Sequence, residues 1–334
     1  MRKLKVGLLG GGSWGTSVAS LVARNAPVTL WARDGATVDE INAHSTNSRY
    51  LGALKLTPTL RATHDMEQAV SDADVVVLGV PSQAMRETAA AIRPMIRPWV
   101  PVISLAKGFE LSTGKRMSEV IGEELEGHPV GALTGPNLAR EIVQGMAAAA
   151  VIAMEDEVIA RELQALFRTG MFRVYTNSDV VGAELGGALK NIYAIAAGMG
   201  DGLGAGVNTR SALLTRSMAE MIRLGCALGA RADTLMGLAG MGDLLTTATS
   251  EQSRNRTVGF KLGQGMALDA IIAEMNQVAE GVKATGAVWQ MACERGIDLP
   301  IVQEVRGVVH EGRSAREAFA GLVRIAPRSE ADPG

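Results

Sequence analysis

Lys190 stands in a stretch where a lysine could do proton chemistry: Glu184-Leu185-Gly186-Gly187-Ala188-Leu189-Lys190-Asn191-Ile192-Tyr193-Ala194-Ile195-Ala196-Ala197-Gly198. The pattern is helical, and residues three and four apart are neighbours on a helix. Lys190 is therefore flanked by Gly186, Gly187, Tyr193 and Ala194. Helical glycines cost about 1 kcal/mol each relative to Ala, so something must come close to this face. A lysine sheltered there holds its proton less tightly and can transfer it near neutral pH. The same residues also fit a tight helix–helix contact with Lys190 reaching out to water. Spacing alone does not choose between the two.

Other segments carry groups suited to an anion. Ser253-Arg254-Asn255-Arg256 reads as a helix start with two guanidinium groups, and free N–H groups beside a guanidinium make a phosphate site. A capped surface helix with solvated arginines is the plainer alternative. Lys107, in Ala106-Lys107-Gly108-Phe109, follows an apolar strand, and ligands of open α/β sheets bind at the carboxyl ends of strands. Gly135-Pro136-Asn137 follows another strand and reads as a helix-starting turn with Asn137 as the cap. Its N–H groups could line the same cleft. Gly200-Asp201-Gly202-Leu203-Gly204-Ala205-Gly206-Val207-Asn208 is a glycine-rich connector whose contacts are open. Val278-Ala279-Glu280-Gly281 carries one buried-looking carboxylate.

The elements that must position these groups begin with Lys5-Val6-Gly7-Leu8-Leu9, a short buried strand. Gly10-Gly11-Gly12-Ser13-Trp14-Gly15 follows, and then a helical pattern. A G-x-G-x-x-G between strand and helix is the dinucleotide fingerprint in its required context. Gly10 permits the tight turn, Gly12 lets backbone approach a pyrophosphate, and Gly15 lets the helix pack on the strand. Val28-Thr29-Leu30-Trp31 is the second strand. An acidic residue at its end would select NAD. Trp31 stands there instead, and the guanidinium of Arg33 suits a ribose 2′-phosphate. NADPH is expected to be preferred, with NADH possible because Asp34 is adjacent.

Strands and helices alternate as far as about residue 178. Asp74–Val80, Val100–Leu105, Val130–Leu133, Ala147–Ile152 and Phe172–Tyr175 are the further strands. This predicts an α/β domain with a doubly wound parallel sheet of Rossmann type. Beyond it, helical periodicity continues to about Gly321 without β-branched runs. The expected division is a dinucleotide-binding domain over 1–180, an all-helical substrate domain over 181–328 and a disordered tail over 329–334.

The 334 residues are 47% hydrophobic and 20% charged with a net charge of −2, so no bulk attraction to nucleic acid or membrane is implied. Any anion site must be local. The two cysteines, Cys226 and Cys293, have no metal-ligand spacing, which fits a reducing, cytoplasmic compartment and no metal. The first apolar run is too short for a secretory signal, and no stretch is long enough to span a bilayer.

Taken together, the segments resemble the NAD(P)-dependent glycerol-3-phosphate dehydrogenases of bacterial type, over essentially the whole chain. The marks are the glycine fingerprint with Thr16, Ser104-Leu105-Ala106-Lys107-Gly108, Thr134-Gly135-Pro136-Asn137-Leu138-Ala139, the helix with Leu189-Lys190-Asn191, Gly237-Leu238-Ala239-Gly240-Met241-Gly242-Asp243, and Ser253-Arg254-Asn255-Arg256. The resemblance implies reversible reduction of dihydroxyacetone phosphate to sn-glycerol 3-phosphate, used in phospholipid synthesis, by a homodimer. It implies Lys190 as the proton donor, which Asp243 can hold in place. Lys107, Gly135, Asn137, Asp243, Ser253, Arg254 and Asn255 are the implied substrate contacts. Gly10, Gly12, Ser13, Trp14, Gly15, Arg33, Tyr50, Lys107, Ala139, Arg254, Val278 and Glu280 are the implied cofactor contacts. Asn137 stands where Ser or Thr is more usual, and Ala205 and Val207 replace more polar or aromatic residues. A β-hydroxyacid dehydrogenase that binds a carboxylate, or a non-catalytic NADPH sensor, would share the architecture.

Overall fold

Apolar runs of four residues set the frame. In the computed structural model, which describes residues 3–275 and 279–324, β1 (Val6–Leu9) lies between β2 (Val28–Trp31) and β4 (Val75–Leu78). Val6 pairs with Val28 on one side and Val75 on the other, both parallel. Alternate side chains of a strand point to opposite faces, so the strands feed two cores. Val6, Leu8, Val75 and Val77 enter one, and Leu9, Val76 and Leu78 enter the other. Burial on both faces is why these strands read as unbroken apolar runs.

The sheet has eight strands in the order β3-β2-β1-β4-β5-β6-β7-β8. β3 is Arg61–Thr63, β5 Val102–Ser104, β6 Val130–Thr134, β7 Ala148–Met154 and β8 Phe172–Asn177. Helices α1 (Ser13–Val22), α2 (Gly35–His44), α3 (Ser48–Leu51), α4 (Met66–Val70), α5 (Met85–Ile92), α6 (Met117–Glu124), α7 (Ala139–Val143) and α8 (Glu157–Phe167) connect them. The chain winds from β1 outward to β3, then crosses to β4 and winds the other way. The strand order therefore reverses between β1 and β4, where open α/β sheets bind ligands.

One pairing departs from the expected all-parallel sheet: β7 runs antiparallel to β6. The reason is length. A parallel crossover must carry the chain back along the sheet before the next strand starts. The five residues of α7 cover only ~7.5 Å of helix axis, while the seven of β7 cover roughly 23 Å. The chain therefore turns back beside β6. The longer α8 then returns it, and β8 is parallel to β7. β3 is a strand that the sequence reading passed over; three residues carry too little alternation to show.

The chain divides into two compact units, Met1–Glu110 with Lys115–Ala183, and Leu111–Gly114 with Glu184–Gly334. The second is helical: α9 (Val180–Gly202), α10 (Val207–Ala227), α11 (Ala232–Leu235), α12 (Asp243–Thr249), α13 (Arg254–Gly263), α14 (Leu268–Glu274), α15 (Glu280–Glu294), α16 (Pro300–Glu311) and α17 (Ala315–Arg324), with a π-helical turn at Leu238–Gly242. α9 enters the second unit after its first turn. The expected tail at 329–334 lies outside the described residues.

Candidate functional site

In the first unit the glycine turn follows β1 at the strand-order reversal. Gly10 has φ +131°, and a Cβ on it would lie 2.5 Å from the backbone of Gly79, which follows β4. A Cβ on Gly15 would lie 2.0 Å from the carbonyl oxygen of Gly10. Both positions require glycine on protein grounds alone. Gly12 is different, since a Cβ there would meet nothing within 4 Å. The space over Gly12 is open, and the indole Nε1 of Trp14 beside it is buried without a hydrogen-bond partner. An open backbone position next to an orphaned donor, at the start of α1, fits a pyrophosphate-bearing cofactor. Ser13 opens the same helix.

The turn is held from below by Asn47, which is fully buried. Its Nδ2 donates to the carbonyl oxygen of Gly11 at 3.0 Å and to Thr16 Oγ1 at 2.9 Å. Nothing in the sequence around Asn47 marks it. Its partners lie 36 and 31 residues away.

At the end of β2, Arg33 and Asp34 do not form the local pair that their adjacency allows. Asp34 caps α2, accepting from Thr37 N at 3.2 Å and from Thr37 Oγ1 at 2.6 Å, and these bonds hold its carboxyl below the usual carboxylate range. Arg33 is exposed. Tyr50 on α3 is half-buried, with the guanidinium of Arg49 5.5 Å from its ring centre.

The loop after β5 carries Lys107, whose Nζ donates to the carbonyl oxygen of Gly135 at 2.8 Å. Its shape is held by neighbours. Gln83 Nε2 donates to Phe109 O at 2.7 Å, and Arg86 places Nε and one terminal nitrogen on the two oxygens of Glu110 at 2.7 and 2.9 Å. Gly135 takes φ +127°, which explains the glycine. Asn137 does not cap a helix as expected. α7 starts at Ala139 with Leu138 as its cap residue, and Asn137 Nδ2 instead donates to Ala149 O on β7 at 2.9 Å. The antiparallel return of β7 brings that carbonyl within reach. Asn137 Oδ1 is buried without a partner. Ala139 begins α7, which packs along α1.

In the second unit Lys190 is 7% exposed and does not reach out to water. Nζ donates to Asp243 Oδ1 at 2.7 Å and to Thr247 Oγ1 at 2.5 Å. Asp243 is 1% exposed. Asp243 and Thr247 are one turn apart on α12, and Thr247 Oγ1 also donates to Asp243 Oδ1 at 3.3 Å. A buried ammonium is tolerable only when paired and hydrogen-bonded, and both conditions hold. Thr247 escaped the sequence reading, although its i,i+4 spacing from Asp243 was available as a signal.

What approaches Gly186, one turn from Lys190, is protein. A Cβ on Gly186 would lie 2.6 Å from Ala239 O and 2.9 Å from Gly240 Cα. Close packing against the π-helical turn, which leads into α12, explains that glycine without a ligand.

α13 begins as expected. Ser253 caps it, its hydroxyl accepting from Arg256 N at 3.2 Å. Arg254 is the first residue of the helix and is exposed. Asn255 faces inward rather than capping. Its Nδ2 donates to Asn191 Oδ1 at 2.9 Å, and its Oδ1 accepts from Gly281 N at 3.0 Å. One amide thus joins the Lys190 helix to the first turn of α15. Glu280 begins α15 and is half-buried, not fully buried as its sequence context implied. Val278 lies outside the described residues.

Comparison with known proteins identifies the family of both halves of the chain. Residues 5–160 match the family described as NAD-dependent glycerol-3-phosphate dehydrogenase N-terminus, and residues 179–320 match the corresponding C-terminus. The glycerol-3-phosphate dehydrogenase (NAD(P)+) 2 of Sphingopyxis alaskensis is 58% identical over 332 residues, covering 99% of this chain and 100% of the relative. That of Mycobacterium tuberculosis, numbered 1, is 52% identical over 330 residues, covering 98% and 97%. The crystal structure of glycerol-3-phosphate dehydrogenase from Coxiella burnetii superposes with a TM-score of 0.91 at 35% identity, covering 96% of this chain and 99% of that one. With both halves matched and the glycine turn, the Lys190–Asp243 pair and the Ser253-capped helix in place, the chain belongs to the NAD(P)-dependent glycerol-3-phosphate dehydrogenase family.

Proposed function

We propose that the protein interconverts dihydroxyacetone phosphate and sn-glycerol 3-phosphate, supplying the latter for phospholipid synthesis. The observation that carries this reading is the buried Lys190 held by Asp243 and Thr247. A ketone that gains hydride leaves charge on its oxygen, and that oxygen needs a cation and a proton. Lys190 Nζ supplies both. Asp243 and Thr247 fix the ammonium so that it need not reorganise as the charge develops. Arg254, at the start of α13, gives the substrate phosphate a positive partner on a protein whose net charge is only −2. Ser253 and Asn255 support that end, and Lys107, Gly135 and Asn137 complete the proposed substrate set.

The cofactor reading assigns Gly10, Gly12, Ser13, Trp14 and Gly15 to the pyrophosphate end and Arg33 and Tyr50 to the adenosine end. Lys107, Ala139, Arg254 and Glu280 are further contacts. When bound, the nicotinamide supplies the hydride to the ketone carbon. Preference for NADPH over NADH is supported by Arg33, which is exposed at the end of β2 while the neighbouring carboxylate is engaged by Thr37. A ribose 2′-phosphate would meet a guanidinium there without competition from Asp34. In this reading residues 1–180 serve the cofactor and 181–328 the substrate, and the working form is a homodimer.

The test is direct. Purified protein is mixed with dihydroxyacetone phosphate and either reduced cofactor, and the loss of reduced nicotinamide absorbance is followed. The proposal expects turnover with both and a higher kcat/KM with NADPH. Absence of turnover, or turnover only with 3-oxoacids in place of dihydroxyacetone phosphate, overturns the activity. Equal efficiency overturns the preference alone. Sedimentation velocity gives the mass, and a monomer at assay concentration removes the dimer.

A further inference from the structure

Asp201 lies in the last turn of α9, in the glycine-rich connector, and its side chain is 4% exposed. Two guanidinium groups converge on it. Arg210 of α10 places Nε and a terminal nitrogen on Oδ1 at 2.9 and 2.5 Å. Arg256 of α13 places its own pair on Oδ2 at 3.0 and 2.7 Å. A buried carboxylate paired in this way, here with a half-buried Arg210 and Arg256, is weak evidence for stability, because well-packed apolar groups would do as well. Fixing one arrangement of elements is the better-attested use of such clusters.

The helices it joins need such a pin. α9 and α13 touch backbone to backbone. A Cβ on Gly198 would lie 2.1 Å from Arg256 O, and one on Gly202 would lie 2.2 Å from Phe260 O. On the facing helix, a Cβ on Gly259 would lie 2.0 Å from Ile195 O, and one on Gly263 would lie 2.4 Å from Met199 O. Glycine faces set the distance between helices but offer no side chains to stop one sliding along the other. Two polar contacts do that. Asn191 meets Asn255 at one end, and Asp201 meets Arg256 at the other.

We propose that Asp201 is a positioning residue for the phosphate end of the substrate. By holding Arg256 it fixes the first turn of α13 along α9, and so sets where Arg254 stands relative to Lys190. Without the carboxylate's charge, two guanidiniums are held together with no anion between them, and the α13 start moves. This rests on the reading of Arg254 given above.

The experiment compares Asp201→Asn, Arg256→Lys and Arg254→Lys with the parent, using dihydroxyacetone phosphate and dihydroxyacetone, which lacks the phosphate. For Asp201→Asn, KM for dihydroxyacetone phosphate is expected to rise about tenfold, since misplacement of a binding group is costly. kcat should hold within about threefold, and kcat/KM for dihydroxyacetone should not change. Arg256→Lys keeps the charge but loses the fork, and should behave in the same way. It also provides the reading if Asp201→Asn does not fold. A KM within about twofold of the parent, or an equal loss for both substrates, overturns the proposal and leaves Asp201 a stability residue. Arg254→Lys separates the two levels. If it leaves KM unchanged, the phosphate reading fails. If it raises KM while Asp201→Asn does not, only the positioning role fails.

Discussion

Lys190 gains its meaning from two side chains more than fifty residues away, since Asp243 and Thr247 hold its ammonium in a site that water barely reaches. Lys190→Ala removes a proton donor and a charge without adding bulk. With saturating NADPH, kcat is expected to fall by about 10²–10⁴-fold or more, the range for lost general acid catalysis. NADPH affinity, read by fluorescence on the same preparation, should survive; a collapse of that affinity would make Lys190 a cofactor or structural contact instead. Lys190→Arg should recover little, because a guanidinium stays protonated at working pH. Thr247→Val tests the less visible partner. It keeps the shape but leaves Nζ one acceptor short. A loss of kcat with little change in KM is expected, and unchanged kcat would assign the whole of the positioning to Asp243. Arg33→Ala should weaken NADPH by roughly ten- to a hundred-fold, the worth of a charge-assisted contact, while barely affecting NADH. Equal loss for both cofactors would move Arg33 to another role.

The decisive element is the pair α9 and α13. Their glycines bring backbones into contact, so a side chain on either surface has nowhere to go. Gly259→Ala would put a methyl group 2.0 Å from Ile195 O, a distance only backbone movement can relieve. Overpacking of this kind costs about 1–3 kcal/mol, and the Tm measured by calorimetry should fall accordingly. Gly12→Ala is the contrast. Nothing in the protein opposes its methyl group, so Tm should hold while NADPH binding weakens. A loss of Tm equal to that of Gly259→Ala would show that Gly12 serves the fold and not a ligand.

Across the whole molecule, a net charge of −2 leaves anion recognition to local groups, and among the described residues no helix is long and apolar enough to cross a membrane. One buried group makes overall stability depend on pH. Glu220 on α10 is fully buried, and it accepts from Ile301 N at 2.6 Å and Val302 N at 3.3 Å, closing the N-terminus of α16. Burial pushes its carboxyl up to about 8 against an ordinary 4.5, although those two N–H groups and the nearby Arg223 and Arg216 pull the other way. Between those values the native protein keeps a proton that the unfolded chain has released. The stabilisation is therefore complete below about pH 4.5 and is lost as pH rises through about 8. The slope is at most one proton, about 1.4 kcal/mol per pH unit. Glu220→Gln should flatten that part of the Tm–pH curve. An identical slope in parent and variant would place the titrating group elsewhere.

Much of this protein is written locally. Alternation of apolar strands with helices, the glycine turn after β1 and the Ser253 cap all depend on residues within about four positions of one another, the range over which strand and helix periodicity operate. Those features were legible in the sequence. So was the family resemblance, because its motifs are contiguous. Other features depend on where distant segments land. The sequence could not say that Asn137 would bond to Ala149 instead of capping α7, because the direction of β7 depends on how little chain α7 provides. Gly186 and Lys190 share a helix face, yet protein backbone packs at the glycine while the lysine is buried against Asp243. Asn47 sits in an unremarkable local context, Thr247 is marked only by its spacing from Asp243 and Asp201 only by its glycine-rich connector, yet each has a partner 31 to 57 residues away. Local periodicity shows most of the elements, β3 excepted, and the chemical groups they carry. The tertiary structure alone decided which groups meet, because burial leaves each buried polar atom needing a partner that only the folded chain can bring to it.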